Sequence, residues 1–329
     1  MKLKNYISIF LLLFYCPFFT LKAQVKLENN QDNYPIGKSL SYLEDPTGEL
    51  TFNDILAQNT NFSISETEEL NFGYTRDVIW IKCVVTNQSD FEDWLVSLPS
   101  HYIDYIDFYS QEKGNWTADK TGIARPLATR QIEDVNFTFL LKLASQTQKT
   151  YYFRFQSESP LIFPLHIQRY ETFNQYSRNK NFYYGSYFGI LLVMIFYNLF
   201  IYLSLRDKNY LFYVFTILST LALLSSLTGY SYLFVLKYYP LALYISLLYI
   251  FGGLIVSTTA ILSIHVLQLK KYSSPFYYLM ICDAVLGILF PILEQTTSWT
   301  NLINNLITFH IVMMIIAGVL TWKRGNVLS

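Results

Sequence analysis

"YNLFIYLSLRDKNYLFYV", Tyr197–Val214, sets Arg206, Asp207 and Lys208 side by side between two long apolar runs. A helix that crosses a bilayer needs about 20 mostly apolar residues. Five runs of that kind follow Phe182: roughly Tyr183–Leu205, Tyr210–Leu227, Leu241–Val266, Phe276–Leu293 and Leu302–Trp322. Asp283 is the one formally charged residue within them. A water-facing helix of that length carries a charged stripe, so these runs read as membrane spans and the charged triplet as a tight turn between the first two.

Lys and Arg are enriched in cytoplasmic loops. With the amino-terminal half outside, the Arg206–Lys208 turn falls on the inner side. The next loop, outside, holds only Lys237; Lys270 and Lys271 fall inside; the fourth loop has neither Lys nor Arg; Lys323 and Arg324 close the chain on the inside. Arg178 and Lys180 run against the pattern, at the outer end of the first span. Export of a long domain by a leader can override such charges. Tyr183, Tyr184, Tyr187, Tyr210, Tyr213, Tyr230, Tyr232, Tyr238, Tyr239 and Trp299 crowd the expected interfaces, where rings with a polar tip are favoured.

A leader is expected at the amino terminus. In "MKLKNYISIFLLLFYCPFFTLKA", Lys2 and Lys4 precede the apolar run Ile7–Phe19, and Ala23 supplies a small residue at a cleavage position, the layout of a signal peptide over residues 1–23. An uncleaved first helix is the alternative. Cys16, Cys83 and Cys282 form neither a metal-ligand spacing nor a disulfide framework. The chain of 329 residues has no net charge and no basic run, so nothing in it points to nucleic acid.

Residues 24–168 read as a soluble β-sandwich. Short β-rich runs alternate with period two between turn clusters: Ile79, Ile81, Cys83 and Val85 share one face; Ile106 and Phe108 share another with Tyr102 and Asp104; Phe137, Phe139, Leu141 and Leu143 line up, as do Tyr151, Phe153 and Phe155. Such runs at regular spacing predict an antiparallel sandwich or jelly roll. A single helical turn is expected over Asp54 to Gln58. Residues 169–181 read as a linker and 182–329 as an α-helical transmembrane bundle.

Among site candidates, Asp283 stands out, because an ionisable group in a span faces a bundle interior or water. Counted from the inner end at about 1.5 Å per residue, Asn198 of the first span lies at a similar depth, so Asn198 and Asp283 are expected to pair as a polar switch. The competing reading is that Asp283 only fixes packing. His310 is placed more than a helical turn away from Asp283, and no metal site or cofactor is expected. In the soluble half, Trp80 and Trp94 sit inside strands and read as core. Trp116 follows a turn and is expected exposed, as part of a sugar-stacking surface. Arg125 and Arg130 flank "PLAT" and can clamp a carboxylate; a solvated loop is the plainer reading. His101, His166, His265 and His310 lack a nucleophile elbow or metal spacing, so no catalytic residue is assigned and an enzyme is not expected.

Several stretches resemble a known family. "GSYFGILLVMIFYNLFIYLSLRDKNYLFYVFTILSTLALLSSLTGY" (Gly185–Tyr230) is similar to the first two spans of the bacterial seven-transmembrane receptors with diverse intracellular signalling modules. "AGVLTWKRGN" (Ala317–Asn326) resembles the end of their fifth span. "YTRDVIWIKCVVTNQSDFEDWLVSL", "IDYIDFYSQEKGNW" and "TGIARPLATRQI" resemble their extracellular sensory domain, regarded as a jelly roll related to carbohydrate-binding modules. The resemblance implies an inner-membrane receptor that senses a periplasmic small molecule or carbohydrate. It also implies seven spans and a cytoplasmic kinase, cyclase or DNA-binding regulator, whereas five spans are read here before Ser329, as in a chain cut after the fifth. The expected partners are the lipid bilayer, that ligand and a second copy of the chain, with no nucleic acid. The alternatives are a transporter or channel subunit, for which Gly252-Gly253 is the one hint of a broken helix, and a glycan-binding envelope protein that does not signal.

Overall fold

The computed structural model describes residues 23–57, 62–236, 241–294 and 300–323. Apart from Ala23, the leader lies outside them, as do Lys237, Tyr238, Tyr239, Trp299 and Arg324.

The amino-terminal part is a β-sandwich whose two main sheets share one core. Strand β6 (Val78–Asn87) is central in a seven-stranded sheet. On one side it pairs with β3 (Leu40–Asp45), which pairs with β4 (Ser63–Ile64). On the other it pairs with β11 (Thr147–Gln156), followed by β8 (Tyr105–Glu112) and the edge strand β9 (Asn115–Thr121). Those pairs are antiparallel; the short strand β1 (Val25–Leu27) adds a parallel pair to β6. The facing sheet runs from the edge strand β10 (Phe137–Lys142) through β7 (Asp93–Leu98) and β13 (His166–Arg169) to β2 (Asn33–Pro35). The "LIFPLHIQ" run, one segment in the sequence, divides at Pro164: β12 (Leu161–Phe163) pairs with β5 (Leu70–Gly73), while His166–Arg169 joins the facing sheet.

The alternation seen in the sequence is the reason for the core. Ile79, Ile81, Cys83 and Val85 of β6 and Tyr151, Phe153 and Phe155 of β11 meet Trp94, Val96 and Leu98 of β7 and Phe137, Phe139 and Leu141 of β10. Trp80 and Trp94 are both fully buried, but against opposite surfaces. Trp94 is between the sheets; Trp80 faces outward, under helix α1 (Phe52–Ala57), in a second cluster with Ile55 and Tyr152.

Helix α2 (Tyr170–Leu205) begins at the last residue of β13 and runs 36 residues. The segment read as a linker, 169–181, is thus the first turns of the helix that becomes the first span. Arg206 ends it in a left-handed conformation (φ 59°), and Asp207 caps helix α3 (Lys208–Leu227) by accepting from Asn209 N at 2.9 Å. Two charged residues of the opening triplet therefore have local duties: one reverses the chain, the other satisfies a free helix-end amide. Helix α4 (Leu241–Val266), the short α5 (Leu269–Tyr272), α6 (Ser274–Glu294) and α7 (Thr300–Lys323) complete the described bundle. Over described residues, Tyr170–Leu205, Lys208–Leu227 and Ser246–Val266 are long and apolar enough to cross a membrane, and Ser274–Leu289 and Ile307–Lys323 are shorter apolar stretches.

Helices α4 and α6 touch at their backbones. A Cβ on Gly253 would lie 2.1 Å from Gly287 O, and Ser257 Oγ donates to Ala284 O at 2.8 Å. Small residues let two spans approach this closely. Helix α4 continues unbroken through Gly252-Gly253, so Gly253 serves packing, and neither glycine makes the helix break a transporter reading requires.

Candidate functional sites

Three polar sites lie on one side of the sandwich and beneath it: a cleft, a junction with the helices, and a buried chain inside the bundle.

The cleft, about 270 Å³, opens between the two sheet edges β9 and β10. Ser110, Gln111, Glu112, Thr117, Asp119, Lys149 and Tyr151 line it from one sheet, Leu140 and Lys142 from the other, with Gln131 of the loop between. Gln131 staples the edges: its Nε2 donates to Asp119 Oδ2 at 2.7 Å and its Oε1 accepts from Leu140 N at 2.7 Å. Lys149 Nζ donates to Lys142 O at 2.8 Å. Tyr151 is 3% exposed and its hydroxyl has no hydrogen-bond partner; burial pushes its pKa up.

The junction grows from the same loop, residues 122–135. Gly122 opens it with φ +133°, where a Cβ would lie 2.1 Å from Asp104 O, so no other residue fits. One residue before Gln131, the Arg130 guanidinium lies 4.4 Å from the Phe137 ring and 5.7 Å from that of Tyr232. Its Nη1 donates to the carbonyls of Asp134 and Val135. Tyr232 belongs to a π-helical turn after α3, and its hydroxyl donates toward Ile123 O and Arg125 O at 3.2 and 3.3 Å. Asp134, 5% exposed, accepts from Lys180 Nζ at 2.9 Å and from Ser177 Oγ at 2.6 Å, both on α2. Burial pushes the Asp134 carboxyl up, but the Lys180 ammonium and the hydrogen bonds from Ser177, Asn136 and Lys180 outweigh this and hold it below the usual carboxylate range. Lys180 looked misplaced by the loop-charge rule; its charge is matched by the sandwich. Tyr230 and Tyr232, expected among headgroups, are instead buried at this junction, and Tyr230 donates to Asn181 Oδ1 at 2.6 Å.

His101 flanks the junction. Gly229 has φ +78°, and a Cβ there would meet Val135 and the His101 ring within 3.0 Å. Burial, then the charges of Arg130 and Lys180, push His101 from its usual 6.5 down to about 4. The folded junction therefore favours neutral imidazole, and the unfolded chain takes up a proton first as pH falls. Stability contributed by this histidine is complete above pH 6.5 and is lost as pH falls from about 6.5 toward 4. Protection of segment 122–135 from hydrogen exchange, taken relative to the intrinsic amide rate at each pH, should fall over that window in the wild type and not in His101→Phe. A flat wild-type profile would contradict this placement.

The sequence candidates sort clearly. Arg125 is committed internally: its Nη1 donates to Asp107 Oδ1 at 2.6 Å, Thr121 O at 2.8 Å and Ile106 O at 3.0 Å. The Arg125–Arg130 clamp for a ligand carboxylate is not formed, because the two guanidiniums serve a strand edge and the junction respectively. Trp116 is not an exposed platform either. It lies in β9 and packs edge-on against Phe52 (5.1 Å) and Tyr152 (5.6 Å), since helix α1 covers that face of the sheet. Neither Trp116 nor the arginines line the cleft.

Inside the bundle, Asp283 does not pair with Asn198. Asn198 Nδ2 donates to Met194 O of its own helix at 2.8 Å. Asp283 Oδ2 is 2.5 Å from His310 Nδ1, and His310 Nε2 is 2.9 Å from Thr259 Oγ1, so one polar chain joins α6, α7 and α4. Asp283 Oδ1 is buried and, among the described residues, without a partner. Counting depth from the ends of apolar runs missed the pair, because the helices are offset along their axes. The signal that was available was simpler: Asp283 is the one formal charge within the runs, and His310 is a histidine well inside the next run, whereas His265 sits at the end of its own.

A β-sandwich joined through the buried Asp134–Lys180 ion pair to a bundle of apolar helices has the layout of a membrane receptor with an extracellular sensory domain. Two family models match the chain in tandem, 7TMR-DISM extracellular 2 over residues 37–169 and 7TM diverse intracellular signalling over residues 180–329. The chain belongs to the 7TMR-DISM family. No curated protein matches it.

Proposed function

We propose that this receptor is delivered by its leader to a bacterial inner membrane with the sandwich periplasmic, binds a small polar ligand in the β9–β10 cleft, and passes the binding event through the helices to a cytoplasmic output module. The Arg206–Lys208 turn and the carboxy-terminal end then face the cytoplasm, and this part of the chain performs no catalysis. The observation that carries the reading is the junction. Loop 122–135 lines the cleft with Gln131 and grips Tyr232 and α2 with Arg130 and Asp134. Helix α2 has no joint between sandwich and membrane. A ligand that moves the cleft edges thus changes contacts to two helices, and it biases the bundle by its differential affinity for the two arrangements. Without an exposed aromatic ring, the cleft recognises its ligand by hydrogen bonds and charge.

The test uses the full chain in lipid nanodiscs, with spin labels at the Arg206–Lys208 turn and at Lys271. Asp134→Asn and Tyr232→Phe each remove a link between sandwich and helices. Both should shift the distance distribution between the labels. Distributions identical to wild type in both variants would show that sandwich and bundle are uncoupled and would end the receptor reading.

A further inference from the structure

The chemistry of the cleft names its ligand more closely; this step rests on the receptor reading for its consequence, not for the binding itself. Strand β10 is the edge of its sheet and β9 the edge of the other. In an antiparallel ladder the N–H and C=O of one residue point the same way, and residues two apart point alike. Leu140 and Lys142 therefore turn their outer backbone groups into the cleft. An edge of this kind is a template for another strand unless something occupies it. Here two side chains do so. The Gln131 carboxamide takes the Leu140 N–H, and the Lys149 ammonium takes the Lys142 C=O.

A primary amide is the side-chain analogue of a peptide group: one carbonyl acceptor and N–H donors. Gln131 uses both, as a peptide would, accepting from Leu140 N while donating to Asp119. In the same lining, the Tyr151 hydroxyl is buried and, among the described residues, unpartnered. Leaving such a group unsatisfied is costly, so an occupant of the cleft that reaches it gains a hydrogen bond. Glu112, Asp119, Lys142 and Lys149 supply two charges of each sign, matching the free ammonium and carboxylate of a short peptide. The volume of about 270 Å³ suits a few residues and not a long strand.

We propose that the cleft binds a free di- or tripeptide as an added strand on β10, with Gln131 as a built-in placeholder that the peptide displaces and Tyr151 as a hydrogen-bonding floor. Displacing Gln131 moves its neighbour Arg130, which touches Tyr232; the same exchange that admits the ligand thereby reaches the helices.

The experiment measures trialanine binding to the full chain in nanodiscs by thermal unfolding and by hydrogen exchange of segment 137–142, with maltose and N-methylated trialanine as controls. Trialanine should stabilise the sandwich and protect that segment; the controls should do neither. Gln131→Ala removes the competitor, so trialanine should bind about tenfold tighter. Tyr151→Phe keeps the ring and the ligand-free fold and should weaken binding about fivefold. If Gln131 merely protects an edge, Gln131→Ala gains no affinity, and the proposal fails. Equal protection by maltose also overturns it while leaving the receptor reading intact. Peptide binding without movement of the labels at the Arg206–Lys208 turn supports the ligand assignment and overturns the receptor reading.

Discussion

Replacing His310 with alanine should destabilise the helical bundle by about 3–5 kcal/mol, the scale for breaking a buried polar pair and stranding one partner. The geometry leaves Asp283 no substitute. Its carboxylate is 1% exposed, its Oδ2 is bound to His310 at 2.5 Å, and its Oδ1 already lacks a partner. In hydrocarbon surroundings an orphaned carboxyl group is costly. The double variant Asp283→Leu with His310→Leu should recover most of the loss, since replacing a whole buried pair by apolar groups is often neutral. Unfolding of the nanodisc-embedded chain, read by a double-mutant cycle, checks both expectations. A His310→Ala variant as stable as wild type would mean the two side chains do not meet. If the double variant is stable but the label distances described above shift, the polar chain through Thr259 sets which arrangement the bundle adopts, beyond holding it together.

The second large effect is expected in the sandwich. Trp94→Ala should cost about 3–5 kcal/mol, which for a domain of this size lowers Tm by roughly 10 °C or more. Trp94 is fully buried, stands edge-on to Tyr34 at 5.9 Å, and donates its Nε1 hydrogen to Phe91 O at 3.1 Å. It also pairs across the sheet with Arg169, the residue from which α2 departs. Its removal leaves a cavity under the root of the first span as well as between the sheets. Trp80→Ala opens a different cluster, under α1, and lies away from that root. Both variants should lose stability, but Trp94→Ala should also raise hydrogen exchange at 166–173. Loss confined to the sandwich strands in both would show that the helix is anchored by the junction contacts of Asp134 with Lys180 and Ser177 alone.

Much of the architecture was written in residue order. Apolar runs of span length with a lone Asp283, and period-two alternation through Ile79–Val85 and Tyr151–Phe155, are local patterns, and each dictates which solvent or which core a segment can tolerate. Membrane helix and sandwich strand follow from that alone. Pairing between elements distant in sequence does not. Nothing local says that Asp134 meets Lys180, that Tyr232 leaves the headgroup region to cap a loop of the sandwich, or that Asp283 chooses His310 over Asn198. Those contacts depend on how helices are staggered and which loop lies above them, quantities set by packing the whole chain. The cleft is of the same kind: Gln131 is an unremarked loop residue in the sequence, and acquires its place only because β9 and β10 finish as facing edges of two different sheets.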